Sequence, residues 1–365
     1  MTEQGSDVSI PPETEVPAGG PSGMESREAP APSFFDGDDQ PRPEIVEGLI
    51  REGQLVAFAG PYGMGKSPSL TDIAMHVIFG IPWCERLVSQ RPVILFDFET
   101  PVATFRRNVK LIANRLGVAL PQVPDHLDVY LEHGDPDAPQ TKRLLAAIAG
   151  NTDTRLELIG DSLSKKENAL VLIDPLELMF RVNTVKKEEL LRLYGMLRRR
   201  LTGYPHAATV MTFNLRKRDR KNGREDLLIN PRGWLEEVCG TLDILNRSDV
   251  RLGMDFHGED ARVINGIRRG EEMHPLLVRP VEIEPGQYAG FDLHPADAHT
   301  VERVLTTKQR IYWEKLPKEF RFEEVADHIV PRATLDRLLK RAKSVGLVEQ
   351  KNAIWLKLAP VGVKR

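Results

Sequence analysis

The sequence predicts an α/β fold built on a central, mostly parallel sheet, with a smaller helical unit behind it. Four short runs are continuously apolar: Leu55–Ala59 (LVAFA), Pro92–Phe98 (PVILFDF), Ala169–Ile173 (ALVLI) and Ala208–Phe213 (ATVMTF). Runs of this length and texture read as strands buried on both faces. Segments of helical period separate them, and a glycine-rich turn joins the first run to the first helix. Strands alternating with helices give a parallel sheet covered on both sides.

The elements follow in order. Ser69–Phe79 is a predicted helix with Leu70, Ile73, Ala74, Val77 and Ile78 on one face. Arg106–Leu116 follows the second strand, with Val109, Ile112 and Leu116 apolar. Leu127–Leu131 reads as a strand, Thr141–Ala149 and Arg155–Ser164 as helices, and Lys186–Leu201 as a long amphipathic helix. Leu242–Asn246, Ala261–Ile267 and Leu276–Val281 read as further, more antiparallel strands closing the sheet. A break follows at Leu293–Ala298. The remainder reads helix, helix, helix, hairpin: Thr300–Leu316, Phe322–Ile329 and Pro331–Val345, then strands Leu347–Gln350 and Ile354–Leu358 around Lys351 and Asn352. Pro331 suits a helix start, and Gly346 stops the helix. That order is a winged-helix pattern. The expected organisation is a tail over 1–41, the α/β domain over 42–295 and a winged-helix domain over 299–365.

Composition bounds the function. Of 365 residues, 41% are hydrophobic and 28% charged, enough for a real core. Two cysteines, Cys84 and Cys239, cannot build a disulfide framework, and no CxxC zinc spacing exists. The longest apolar stretches fall far short of the roughly 20 residues a membrane helix needs. The N-terminus lacks the basic and apolar regions of a secretory signal. The expectation is a soluble protein of a reducing, cytoplasmic compartment. The net charge of −3 is uneven: residues 1–40 carry nine acids against Arg27 alone, with six prolines and five glycines. They read as a disordered acidic leader or a partner-binding arm. The rest is mildly basic, which permits a nucleic-acid partner without demanding one.

Gly60-Pro61-Tyr62-Gly63-Met64-Gly65-Lys66-Ser67 fits G-x-x-x-x-G-K-[ST], between a buried strand and a helix as the motif requires. Its backbone N–H groups and the helix dipole would cradle a β-phosphate. Lys66 would bridge the β- and γ-phosphates of ATP, and the Ser67 hydroxyl would ligate Mg²⁺. Pro68 is tolerable because a first-turn N–H has no helical partner. Asp174, ending the third strand, is placed to hold the Mg²⁺ through water. Glu99, at the tip of the second strand, can orient and deprotonate the attacking water. Asp97 lies deeper on that strand and is the weaker base.

These residues resemble the RecA-type ATPases: a phosphate loop, a Glu ending the next strand (FDFET) and a later strand ending IDPL. AAA-type chains place a second acid directly after the strand-end Asp, where this one has Pro175. The chain is most similar to the RepA-like hexameric replicative helicases of plasmids and phages, on Val46-Glu47-Gly48-Leu49-Ile50, Glu99-Thr100-Pro101, Asp174-Pro175-Leu176 and Arg232-Gly233, over roughly residues 42–295. The resemblance implies a RecA-like core and a ring of subunits. It also implies a polar sensor after the fourth strand, where Asn214 stands in Phe213-Asn214-Leu215-Arg216-Lys217. The family's trans-acting arginine is expected about ten residues after Arg-Gly, but Gly240-Thr241-Leu242-Asp243 holds none. Arg268 and Arg269, which resemble the basic pair of DnaB-type chains, are the substitutes.

Two basic surfaces could meet DNA. Arg216, Lys217, Arg218, Arg220, Lys221 and Arg224 put six bases in nine residues after the sensor, in the place where hexameric motors line their channel. On the third C-terminal helix, Arg337, Lys340 and Arg341 lie opposite the apolar Leu335, Leu338, Leu339, Ala342 and Val345. Either surface could instead be merely solvated, or the C-terminal one could dock protein. The expected activity is an ATP-driven DNA motor. Its rival is an ATP-gated DNA-binding switch in regulation, partition or defence.

Overall fold

A computed structural model describes residues 41–182, 187–215, 225–238, 247–258, 260–269, 271–294, 305–345 and 347–358. The chain divides into two units, Met1–Pro41 and Arg42–Arg365, and the described architecture is that of the second. It opens on a hairpin of β1 (Glu44–Val46) and β2 (Ile50–Arg51), turned at Gly48 with φ +70°. Next come β3 (Leu55–Pro61), α1 (Lys66–Phe79), β4 (Val93–Asp97), α2 (Val102–Leu116), α3 (Val123–His126) and β5 (Leu127–Leu131). Then follow α4 (Pro139–Ala149), α5 (Thr152–Leu163), β6 (Leu170–Asp174), α6 (Leu176–Phe180), α7 (Lys187–Leu201) and β7 (Ala208–Leu215). After α8 (Pro231–Val238) the chain runs through β8 (Val250–His257), β9 (Ala261–Arg268), β10 (Glu271–Glu272), β11 (Leu276–Glu282) and β12 (Tyr288–Leu293). The C-terminal elements are α9 (Thr307–Lys315), β13 (Glu319–Arg321), α10 (Phe322–Val325), α11 (Arg332–Ser344), β14 (Val348–Lys351) and β15 (Ile354–Lys357).

The main sheet runs β12-β11-β9-β8-β3-β7-β6-β4-β5, with β10 paired to β9. From β8 to β5 every pairing is parallel; from β8 outward through β9, β11 and β12 every pairing is antiparallel. Alternate residues of each strand feed opposite faces. Ile94 and Phe96 enter one apolar cluster, Val93 and Leu95 the other. The first cluster continues through Trp313, Leu335, Leu338, Leu339 and Val348, so the C-terminal elements pack on one face of the sheet.

The structure adds elements that the sequence did not announce: β1, β2, α3, α6, α8, β8, β10, β12 and β13. The β8 run (VRLGMDFH) is broken by Gly253 and by charge, which hid it. The predicted strand Leu242–Asn246 lies outside the described residues. The predicted helix Phe322–Ile329 stops at Val325, because Asp327 takes φ +61° and breaks the turn. The hairpin turns at Asn352 and Ala353, both with positive φ.

A buried carboxylate ties the antiparallel strands to the phosphate-loop helix. Asp72, on α1 and fully buried, accepts from Trp83 Nε1 (2.7 Å), the Phe291 N–H (2.9 Å) and Arg115 Nη2 (3.1 Å). Four segments thus meet on one side chain. Asp72→Ala leaves three donors without their acceptor and is expected to cost about 3–5 kcal/mol, the range for breaking a buried ionic contact. Denaturant unfolding checks this, and a loss under about 1 kcal/mol, the worth of a surface pair, would contradict it.

Candidate active site

The phosphate loop leaves β3 and enters α1 through Gly63 and Gly65, at φ +79° and +95°. Those angles turn successive N–H groups inward and admit glycine far more readily than other residues. At Gly60 the constraint is space: a Cβ would sit 2.9 Å from the Met254 carbonyl oxygen. Lys66 is buried, and its Nζ donates to the carbonyls of Gly60 (2.8 Å) and Pro61 (3.0 Å). Burial lowers its pKa, while Asp174, Glu99 and Glu177 act in the opposite sense. Tyr62 at the loop's tip is 82% exposed.

Three strand ends bring the acids together. Asp97 and Asp174 lie side by side in the β4–β6 register, and Asn214 lies beside Gly60 in the β3–β7 register. Asp174 is buried and accepts from the hydroxyls of Ser67 and Thr212. Burial raises its pKa, and those two bonds and the Lys66 charge oppose the rise. Asp97 accepts the N–H groups of Glu99 (3.0 Å) and Thr100 (2.9 Å), so it shapes the turn that presents Glu99. Burial, then the Asp174 charge, pushes Asp97 up to about 6. Glu99 is exposed, and its Oε1 accepts from Asn214 Nδ2 at 3.1 Å. Its pKa is raised, by partial desolvation first and Asp174 second, against the Lys66 charge and the Asn214 bond.

The residues present fit a magnesium nucleotide. Ser67 and Asp174 offer adjacent hard oxygen donors, as Mg²⁺ prefers. Lys66 sits on loop carbonyls that phosphate oxygens can replace, and the Gly60 cradle admits no Cβ.

Sequence reasoning missed three residues here. Thr212, on the sensor strand, holds Asp174. Arg262 donates from Nε to the Met64 carbonyl (3.3 Å) and stacks its guanidinium 4.3 Å from the Phe256 ring centre, so β9 supports the phosphate loop from 198 residues away. Glu177, in the first turn of α6, accepts the Asn214 N–H on Oε1 at 3.3 Å. Burial pushes Glu177 up to about 7, against its own N–H, the Asn214 N–H and the Lys66 charge. Its one sequence signal is an acid three residues after Asp174.

The structure separates other expected site residues from this cluster. Arg268 is 5% exposed, with Nη1 3.8 Å from Glu44, at the end of the sheet away from the phosphate loop. Its guanidinium packs against β1. Arg269 is exposed. Arg341 is half-buried and lines a cavity with Leu228, Asn265 and Met273, so it does not share the exposed face of Arg337 and Lys340. Lys340 pairs with Asp336 at 3.0 Å. Arg216, Lys217, Arg218, Arg220, Lys221, Arg224 and the stretch Gly240–Asp243 lie outside the described residues.

Compared with known families, residues 25–216, just over half of the chain, match the AAA domain. The chain belongs to this family of P-loop ATPases. No curated protein matches it significantly. The AAA domain here carries Pro175 after Asp174, and a second acid near Lys66 comes from the neighbouring strand as Glu99. Among the described residues no helix is long and apolar enough to cross a membrane.

Proposed function

We propose that this ATPase is a ring-forming, hexameric DNA motor, a replicative helicase of the RepA-like branch serving a plasmid, phage or integrated element. The observation that carries the reading is the bond from Asn214 Nδ2 to Glu99 Oε1 at the end of β7. Directly after β7 comes the basic segment 216–224, so DNA held there pulls on the residue that orients the base.

In the reaction, Glu99 takes the proton of a water attacking the γ-phosphorus in line, and Lys66 meets the charge that develops on the phosphoryl oxygens. Mg²⁺, when bound at Ser67 and Asp174, neutralises charge on the β- and γ-phosphates. Arg269 is the exposed candidate for an arginine acting on the neighbouring subunit's site. The elements from α9 to β15 are read as a winged helix, with Arg337 and Lys340 facing duplex or fork DNA.

Strand displacement of a forked duplex, with ring formation followed by negative-stain imaging, tests this reading. Displacement that requires ATP is expected. DNA binding gated by ATP without displacement would favour the switch instead. Reversing charge at Arg216, Lys217 and Arg218 should cut turnover stimulated by short single strands more than basal turnover. Reversal at Arg337 and Lys340 should weaken fork binding alone. Both effects should shrink with salt, because phosphate contacts release counterions. If the C-terminal variant alone loses single-strand stimulation, the channel reading is wrong.

A further inference from the structure

We propose that Glu177 is a positioning residue for ATP hydrolysis, setting Glu99 through Asn214. This deepens the reading of Glu99 as the base and rests on it.

The ladder around β7 is uneven on its two sides. On the β3 side, pairing runs to Pro61 and Leu215. On the β6 side it ends at Ile173 and Met211, because the chain leaves β6 after Asp174 and turns into α6. Past that point, no strand among the described residues backs β7 on the β6 side. A main-chain N–H at a strand end still needs an acceptor. Glu177 supplies it: its Oε1 takes the Asn214 N–H at 3.3 Å. From the same residue, Nδ2 reaches Glu99 Oε1 at 3.1 Å. One carboxylate therefore fixes the main chain of residue 214, and that residue's amide fixes the other carboxylate.

The remaining atoms agree. Glu177 Oε2 is buried and makes no hydrogen bond among the described residues, so the Asn214 contact is not a by-product of some stronger anchor on that oxygen. Thr212, two residues earlier on β7, donates its side-chain hydroxyl to Asp174. The end of β7 is thus tied to three acids of the site, and Glu177 is the one that holds its backbone.

The test compares ATP turnover and ATP affinity of the full-length Glu177→Ala, Glu177→Gln, Glu99→Gln and Glu99→Gln/Glu177→Ala proteins. Glu177→Ala should lower kcat about tenfold with affinity nearly unchanged, the size of one lost positioning hydrogen bond. Glu177→Gln keeps an oxygen acceptor and should recover most of that loss. In the Glu99→Gln background, Glu177→Ala should add almost nothing, because its route to the chemistry is already cut. Equal losses in Glu177→Ala and Glu177→Gln, or full additivity in the double variant, would overturn the proposal. If Glu177→Ala does not fold, Asn214→Ala replaces it: it should reproduce the kcat loss, and an unchanged kcat would overturn the relay. Wild-type turnover by Glu99→Gln would instead show that the base assignment itself had failed.

Discussion

Lys66→Ala is expected to lower ATP turnover by at least about a hundredfold, the worth of a single well-placed electrostatic partner to developing phosphoryl charge. The physical reason is position. The Lys66 ammonium is buried at the mouth of the loop, held by two carbonyls and facing the field of three carboxylates. It is the cation proposed to meet the phosphates of a bound nucleotide. The fold needs it less, because the apolar faces of β3 and α1 carry the packing. Steady-state turnover beside thermal unfolding checks both halves. Retention of more than about a tenth of wild-type turnover would contradict the role, since it leaves only about 1.4 kcal/mol to the side chain.

Glu99→Gln is expected to keep nucleotide affinity and stall hydrolysis, by about a hundredfold or more for a missing base. The amide is nearly isosteric and can still accept from Asn214 Nδ2, so the geometry at the end of β7 survives. It cannot take the water's proton. Asp97→Asn separates the two acids of β4. Asp97 Oδ1 is spent on the N–H groups of Glu99 and Thr100, which an asparagine oxygen can also accept. Its loss of turnover should therefore be the smaller one. Equal loss of affinity and turnover in Glu99→Gln would assign Glu99 to structure.

Much of this site was legible because its chemistry is written in contiguous residues or at strand ends. The phosphate loop is eight consecutive residues. Glu99 and Asp174 each close an apolar run whose direction is plain, and parallel pairing then sets their ends side by side. Residues that act from a distance left no such trace. Arg262 reaches Met64 across the antiparallel strands, and Thr212 looks like any buried β-branched residue until Asp174 is placed beside it. Glu177 gains meaning only because β6 ends before β7 does. Asp72 reads as an ordinary polar position on a helix, yet its donors come from α1's flanking loop, α2 and β12. At Arg268 and Arg269, a basic pair in sequence does not tell that one member is buried beside Glu44.

In the proposed motor, DNA reaches the chemistry through the end of β7. Its most direct test is ATP turnover by the full chain, titrated with short single-stranded DNA at low and high salt. The prediction is a saturable rise in turnover that weakens as salt increases. Turnover that proceeds but stays flat across the titration, while the same DNA is shown to be bound, would contradict it.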